Sequence, residues 1–238
     1  MVKKSCSRAK DMWADYDALR GEECILPLRT FETEVLEVWG RDPDVDVEYP
    51  SERARFRTLP EGKMAVCLHH LRGGLFLPFQ PEFVNVLNYF GVVPMQLTPN
   101  TVTMIYCLAK ELGRRRIPWD IVIFKAVFRW EANPRLHGCF VLKGRYCQVF
   151  KVRDTGFADW YKRFFFAKSG GVRFAEPRKV AEARFLGEGI GFEDSHFREV
   201  DEIRKRVHHA EDYLRELEAD VREYTGELSA HAFSSLEC

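Results

Sequence analysis

Between residues 75 and 133 apolar and polar positions recur at helical spacing. Pro81 opens a first stretch in which Phe83, Val86, Leu87 and Phe90 share one face, and Gly91 marks its end. Thr98-Pro99 opens a second, with the Thr98 hydroxyl as N-cap. Val102, Ile105, Tyr106, Ala109 and Leu112 form its apolar face, and Gly113 closes it. Pro118 opens a third, with Ile121, Phe124 and Phe128 on one stripe and Asn133-Pro134 as the stop.

After Pro134 the period shortens to two. Cys139–Leu142 and Tyr146–Val152 are expected as strands around the turn Lys143-Gly144-Arg145. Tyr161–Lys168 is a third strand, which Ser169-Gly170-Gly171 turns toward Val172–Phe174. The expected fold class is α+β: a helical group followed by a small antiparallel β-meander, with a C-terminal coiled-coil helix.

The coiled coil is expected from a heptad seam. Val200, Val207, Leu214, Val221 and Leu228 occupy a positions, and Ile203, Ala210, Leu217 and Tyr224 occupy d positions. In a parallel pair Glu199 would face Arg204, and Arg206 would face Glu211. A lone helix folding back on residues 75–175 would bury the same seam. The intermolecular reading predicts a homo-oligomer.

Upstream, Phe31, Val35 and Val38 line a short helix ending at Gly40, and residues 41–60 are rich in proline and charge. The organisation is then an N-terminal polar arm and linker at 1–60, a compact domain at 61–180 and a coiled coil at 195–230.

Composition adds a charge asymmetry. Net charge is +0, yet residues 110–180 hold 17 Lys and Arg against 6 Asp and Glu. Residues 181–238 hold 7 against 15. A basic middle between acidic ends suits an anion-binding surface. Seven Cys without a CxxC pair, no apolar leader and no membrane-length apolar run point to a reducing compartment, cytoplasm or nucleus, and no membrane.

Candidate chemistry is thin. Asp154-Thr155-Gly156 matches the aspartic-protease triplet, but Val152-Arg153 replaces the apolar strand before it. A turn capped by Asp154 is the simpler reading. His137, Cys139 and Cys147 lack a fourth zinc ligand, and His69-His70 and His208-His209 point apart. No GxSxG, P-loop or GxGxxG occurs. No catalytic residue, metal or cofactor is expected. The nucleic-acid candidates are Arg114, Arg115, Arg116, Lys143, Arg145, Lys151, Lys162, Arg163 and Lys168. Tyr146, Phe150, Trp160, Tyr161 and Phe164 lie among the later cations as possible base-stacking partners. The alternative is a sheet with aromatics in the core and cations in water.

Several motifs carry a family resemblance: Gly74-Leu75, Leu77-Pro78, Phe83 to Tyr89 with Gly91, Gln96-Leu97-Thr98-Pro99-Asn100, Phe124-Lys125-Ala126-Val127-Phe128 and Trp160-Tyr161-Lys162-Arg163-Phe164-Phe165-Phe166. In order and spacing, residues 61–168 resemble the plant family of the putative gypsy-type transposase domain, also called putative plant transposon protein. The resemblance implies a retroelement-derived, non-catalytic, gag-like assembly or nucleic-acid-binding protein with RNA or DNA as partner. It supplies no catalytic residues. The alternatives are a transposase-related enzyme of nuclease or integrase type, a degenerate retroviral-type protease, or a non-functional transposon relic. The three metal-binding carboxylates of a nuclease core cannot be assembled from this sequence.

Overall fold

The computed structural model describes residues 22–51, 54–55, 59–136, 138–145, 147–152, 159–168, 170–174, 194–217, 219 and 221. Helix α1 spans residues 28–39, with a π-helical middle at Glu32–Leu36. Its Phe31, Val35 and Trp39 turn inward, and it stops at Gly40 as the spacing predicts. Strand β1, Val47–Glu48, follows. Strand β2, Lys63–Cys67, runs directly into helix α2, Leu68–Arg72.

Helix α3, Pro81–Phe90, buries Phe83, Val86, Leu87 and Phe90. It ends on Gly91 at φ 69°, a left-handed conformation that glycine adopts without steric cost. Helix α4, Pro99–Arg114, starts on Thr98, whose hydroxyl accepts from the Thr101 amide. Gly113 is its penultimate residue rather than its stop, and the chain turns at Arg116 (φ 60°). Helix α5, Ile121–Val127, begins after Asp120, whose Oδ1 accepts from the Val122 amide at 2.7 Å. Pro118 precedes this cap.

The third helix is shorter than its apolar stripe suggests. Residues Phe128–Ala132 form strand β3, paired antiparallel with β4, Phe140–Gly144. Phe128 therefore enters the core from a strand. The remaining strands are β5 (Phe150–Lys151), β6 (Phe164–Lys168) and β7 (His208–His209).

The expected meander does not form. Strand β6 lies between β1 and β2, both antiparallel to it, and β5 pairs in parallel with β7. Burial explains the choice. Phe165 and Ala167 enter the main core and Phe164 and Phe166 a second cluster on the opposite face, so both faces of β6 are enclosed, while β1 and β2 pair its two edges. Across its end Lys63 faces Lys168, and Asp46 and Glu48 offset this by taking Lys63 Nζ at 2.7 and 2.9 Å.

The seam expected to form one continuous helix is also divided. Helix α6, Asp194–Arg204, ends in a turn, β7 follows, and residues 210–217 form a second helix, α7. Val200, Ile203, Ala210 and Leu217 are buried in the core of their own chain, whereas Val207 is exposed. Leu214 and Val221 pack against that core. Each helix buries its own stripe, and the two stripes happen to keep three-four spacing across the break. Tyr224 and Leu228 lie outside the described residues. Helices and small sheets thus pack around one large core and a second, smaller cluster that includes Cys67, Met95, Phe164 and Phe166, a mixed α+β fold in which the larger core takes most of the buried residues. Leu26, Phe31, Val35 and Trp39, upstream of residue 61, belong to it.

Candidate nucleic-acid interface

The nine expected cations separate into several places. Arg114 is exposed but engaged by α7: it donates to Glu216 Oε1, and its guanidinium lies 4.2 Å from the Tyr213 ring centre. Burial alone would favour the neutral guanidine, but the Glu216 hydrogen bond and charge hold it more firmly protonated. Arg115 Nε donates to buried Glu111 Oε1 at 2.6 Å. Arg116, at the turn after α4, is exposed.

Lys162 pairs with Glu22 at 3.4 Å and Asp159 at 3.5 Å, and the Glu22 hydrogen bond is the main cause of its raised pKa. Arg163 and Lys168 are both exposed, but Arg163 precedes strand β6 and Lys168 ends it, so about 17 Å of extended chain separates them. Lys151 is exposed on β5 beside His209.

Lys143 and Arg145 lie two residues apart at the end of β4. Lys143 points outward from β4, and Arg145 follows Gly144 at the strand end. Its Nε donates to the Lys125 carbonyl and its amide to the Val127 carbonyl, both at 2.9 Å. A cation not among the nine, Arg129 on β3, is the direct cross-strand partner of Lys143. Both are exposed. Like charges placed opposite one another destabilise a strand pair. Arg129 bonds Glu131 at 2.9 Å, which offsets part of this. Arg129 is overlooked when residues 128–132 are read as a helix end. The alternation Phe128-Arg129-Trp130-Glu131-Ala132 is the signal that reveals it.

The expected stacking aromatics are mostly structural. Phe150, Trp160 and Phe164 are buried, and Tyr161 is half-buried beside Lys162. Tyr146 lies outside the described residues. This face offers charge and hydrogen bonds rather than a row of stacking rings.

The other candidates for chemistry have structural partners. His70 Nε2 donates to the Leu97 carbonyl at 2.9 Å, and its Nδ1 accepts from the Cys67 amide at 3.4 Å. Burial pulls His70 down to about 4, and burial with the charge of Arg72 does the same to His69. Cys139 Sγ donates to the Met95 carbonyl. His137 and Asp154-Thr155-Gly156 lie outside the described residues. Among the described residues no group of three His, Cys, Asp or Glu is placed to hold a metal ion, and no helix is long and apolar enough to cross a membrane.

No curated protein and no solved structure matches the chain. A family match covers the end of β2, all of α2, α3, α4 and α5, and the start of β3. It includes Gln96-Leu97-Thr98-Pro99-Asn100 and stops before Trp160–Phe166. Residues 65–129, the helical block that builds most of the core, match the family described as Putative gypsy type transposon.

Proposed function

We propose that the chain is a retroelement-derived, non-catalytic protein that binds the phosphate backbone of nucleic acid through the outer face of the β3–β4 pair. The observation carrying this reading is the register that sets Arg129 against Lys143, with Arg145 beside them. A polyanion would relieve that repulsion. Binding of this kind follows charge rather than sequence and weakens steeply with salt. Partial burial of the aromatics favours phosphate contact over base readout.

Fluorescence anisotropy with labelled single-stranded RNA and duplex DNA, at about 50 and 200 mM salt, tests the reading. The wild-type chain binds in a salt-dependent way. Arg129→Glu with Lys143→Glu lowers the affinity at least about tenfold at the lower salt. Equal binding by both proteins, or none by either, overturns the proposal.

Gag-like assembly is a second reading, supported by a different surface from the heptad seam. Leu28 and Leu36, both on α1, are 50% and 45% exposed. Light scattering on the full chain should give an oligomer that Leu28→Ser with Leu36→Ser converts to a monomer. A wild-type monomer contradicts this reading.

A further inference from the structure

Lys110 and Arg114 stand one turn apart on α4, and α7 lays a single carboxylate across both. Arg114 donates to Glu216 Oε1, and Lys110 Nζ lies 3.9 Å from Glu216 Oε2. Residues four apart share a helix face, so both cations reach the same spot. Each also stands against a tyrosine ring. Lys110 Nζ is 5.9 Å from the Tyr106 ring centre, and the Arg114 guanidinium is 4.2 Å from that of Tyr213. Both rings are buried, so the core fixes where the cations stand. The spot itself is open to water: the side chains of Lys110, Arg114 and Glu216 are 31%, 40% and 42% exposed.

Glu216 does little to hold α7 in place. Ala210, Tyr213 and Leu217 are buried, and Tyr213 Oη donates to Glu111 Oε2 at 2.8 Å. An exposed ion pair adds little beside such contacts. What Glu216 does supply is a negative charge for two cations. Glu111 is no substitute. Its Oε2 is 3.8 Å from Arg114 Nη1, but it already accepts from Tyr213 and Arg115. With the Glu216 side chain swung into water, Lys110 and Arg114 would present an anion seat near the exposed Arg116.

We propose that Lys110 and Arg114 form a second phosphate seat for a polynucleotide, and that Glu216 is a competitor built into the chain, filling that seat until a backbone phosphate displaces it. This rests on the reading that the chain binds nucleic acid, but it uses a surface other than the β3–β4 face. The guanidinium fork and the ammonium accept a phosphate as readily as a carboxylate. Displacement costs one weak exposed pair, and the polyanion gains two phosphate contacts with release of their counterions. Helix α7 stays docked throughout, because its apolar contacts and Tyr213 are untouched.

Fluorescence anisotropy of the full chain with labelled single-stranded RNA at about 50 mM salt tests the competitor. Glu216→Gln keeps the side chain's size and removes its charge. It should bind about fivefold more tightly than the wild type, with a steeper salt dependence. Adding either Lys110→Gln or Arg114→Gln should take that gain away. Asp212→Asn makes the same charge change on the same helix, at a residue that pairs with Arg215 instead. It should raise the affinity by less than about twofold. Equal affinity of the wild type and Glu216→Gln, including no binding by either, overturns the competitor. So does an equal rise in Asp212→Asn, or a gain that survives both added substitutions. Charge reversal at Arg129 and Lys143 tests the β3–β4 face separately. If that reversal changes nothing while the gain through Lys110 and Arg114 is seen, the β3–β4 face is excluded and the seat on α4 stands.

Discussion

The helical block at 65–129 and the C-terminal segment at 194–217 each bury a histidine, and they use it in different ways. His70 has one backbone partner that accepts and one that donates, which suits a neutral ring. His208 lies between the Ile203 carbonyl and the Tyr213 hydroxyl, which in turn reaches Glu111 on α4. The same side chain thus ties two stretches of backbone together in the block and joins a run of polar side chains in the segment. The block otherwise relies on apolar packing: Phe90 touches Tyr89, Phe124 and Trp130, and Leu87, Val86 and Leu108 are wholly enclosed. The segment buries fewer apolar side chains and depends more on polar links.

The largest effect is expected in the block. Phe90→Ala should cost about 3–5 kcal/mol in urea unfolding, because it removes the centre of an aromatic cluster that cannot collapse without moving α3. A loss under about 1 kcal/mol would mean that the block is not packed as described.

The block should also lose stability in acid. His70 is near 4 in the folded chain against an ordinary 6.5, so the unfolded chain binds more protons as pH falls. Stability is complete above about pH 6.5 and drains away toward about pH 4, by about 3 kcal/mol for a group buried this fully. Thermal melts across that range should show a fall that His70→Gln reduces. An unchanged slope in the variant would remove His70 as its source.

Tyr213→Phe should act on the segment. It strips Glu111 of a donor and removes the hydrogen-bond partner of His208 Nδ1, at a cost of about 1–3 kcal/mol. The loss should appear in the hydrogen exchange of residues 208–217 before global unfolding. If the melting curve of the whole domain shifts instead, the segment is not a separable unit.

The cap at Thr98 should give a comparable or smaller change. Thr98→Ala removes an acceptor for the Thr101 amide, for about 0.5–2 kcal/mol in urea unfolding. Its effect should be confined to unfolding of the block, with the local hydrogen exchange of residues 208–217 unaltered. Altered local exchange there in Thr98→Ala would tie the two regions together more closely than the contacts suggest.

The sequence reveals these regions unequally. Helices α3 and α4 announce themselves because proline, threonine and glycine act locally, within a turn of where they stand. Strand pairing is not local. Strand β2 finds β6 across some hundred residues, and nothing in Lys63–Cys67 names that partner. The stripe Phe124–Phe128 fits a helix or a helix-to-strand junction equally, and packing against Phe150 settles it. The heptad seam misleads for a related reason. Lys205-Arg206-Val207-His208-His209 contains no glycine or proline to mark the break, and the turn there is fixed by the β5–β7 pairing. The basic candidates share this weakness. Residue type flags a cation, but only register placed Arg129 against Lys143 and only tertiary packing paired Arg114 with Glu216 and the Tyr213 ring.

Hydrogen exchange of the full wild-type chain, compared at about pH 5 and pH 8 after correction for intrinsic rates, tests the neutral histidine buried in the block most directly. Helices α3 and α4 should lose protection at the lower pH, where burying His70 uncharged costs most. Unchanged protection of α3 and α4 between the two pH values would contradict this.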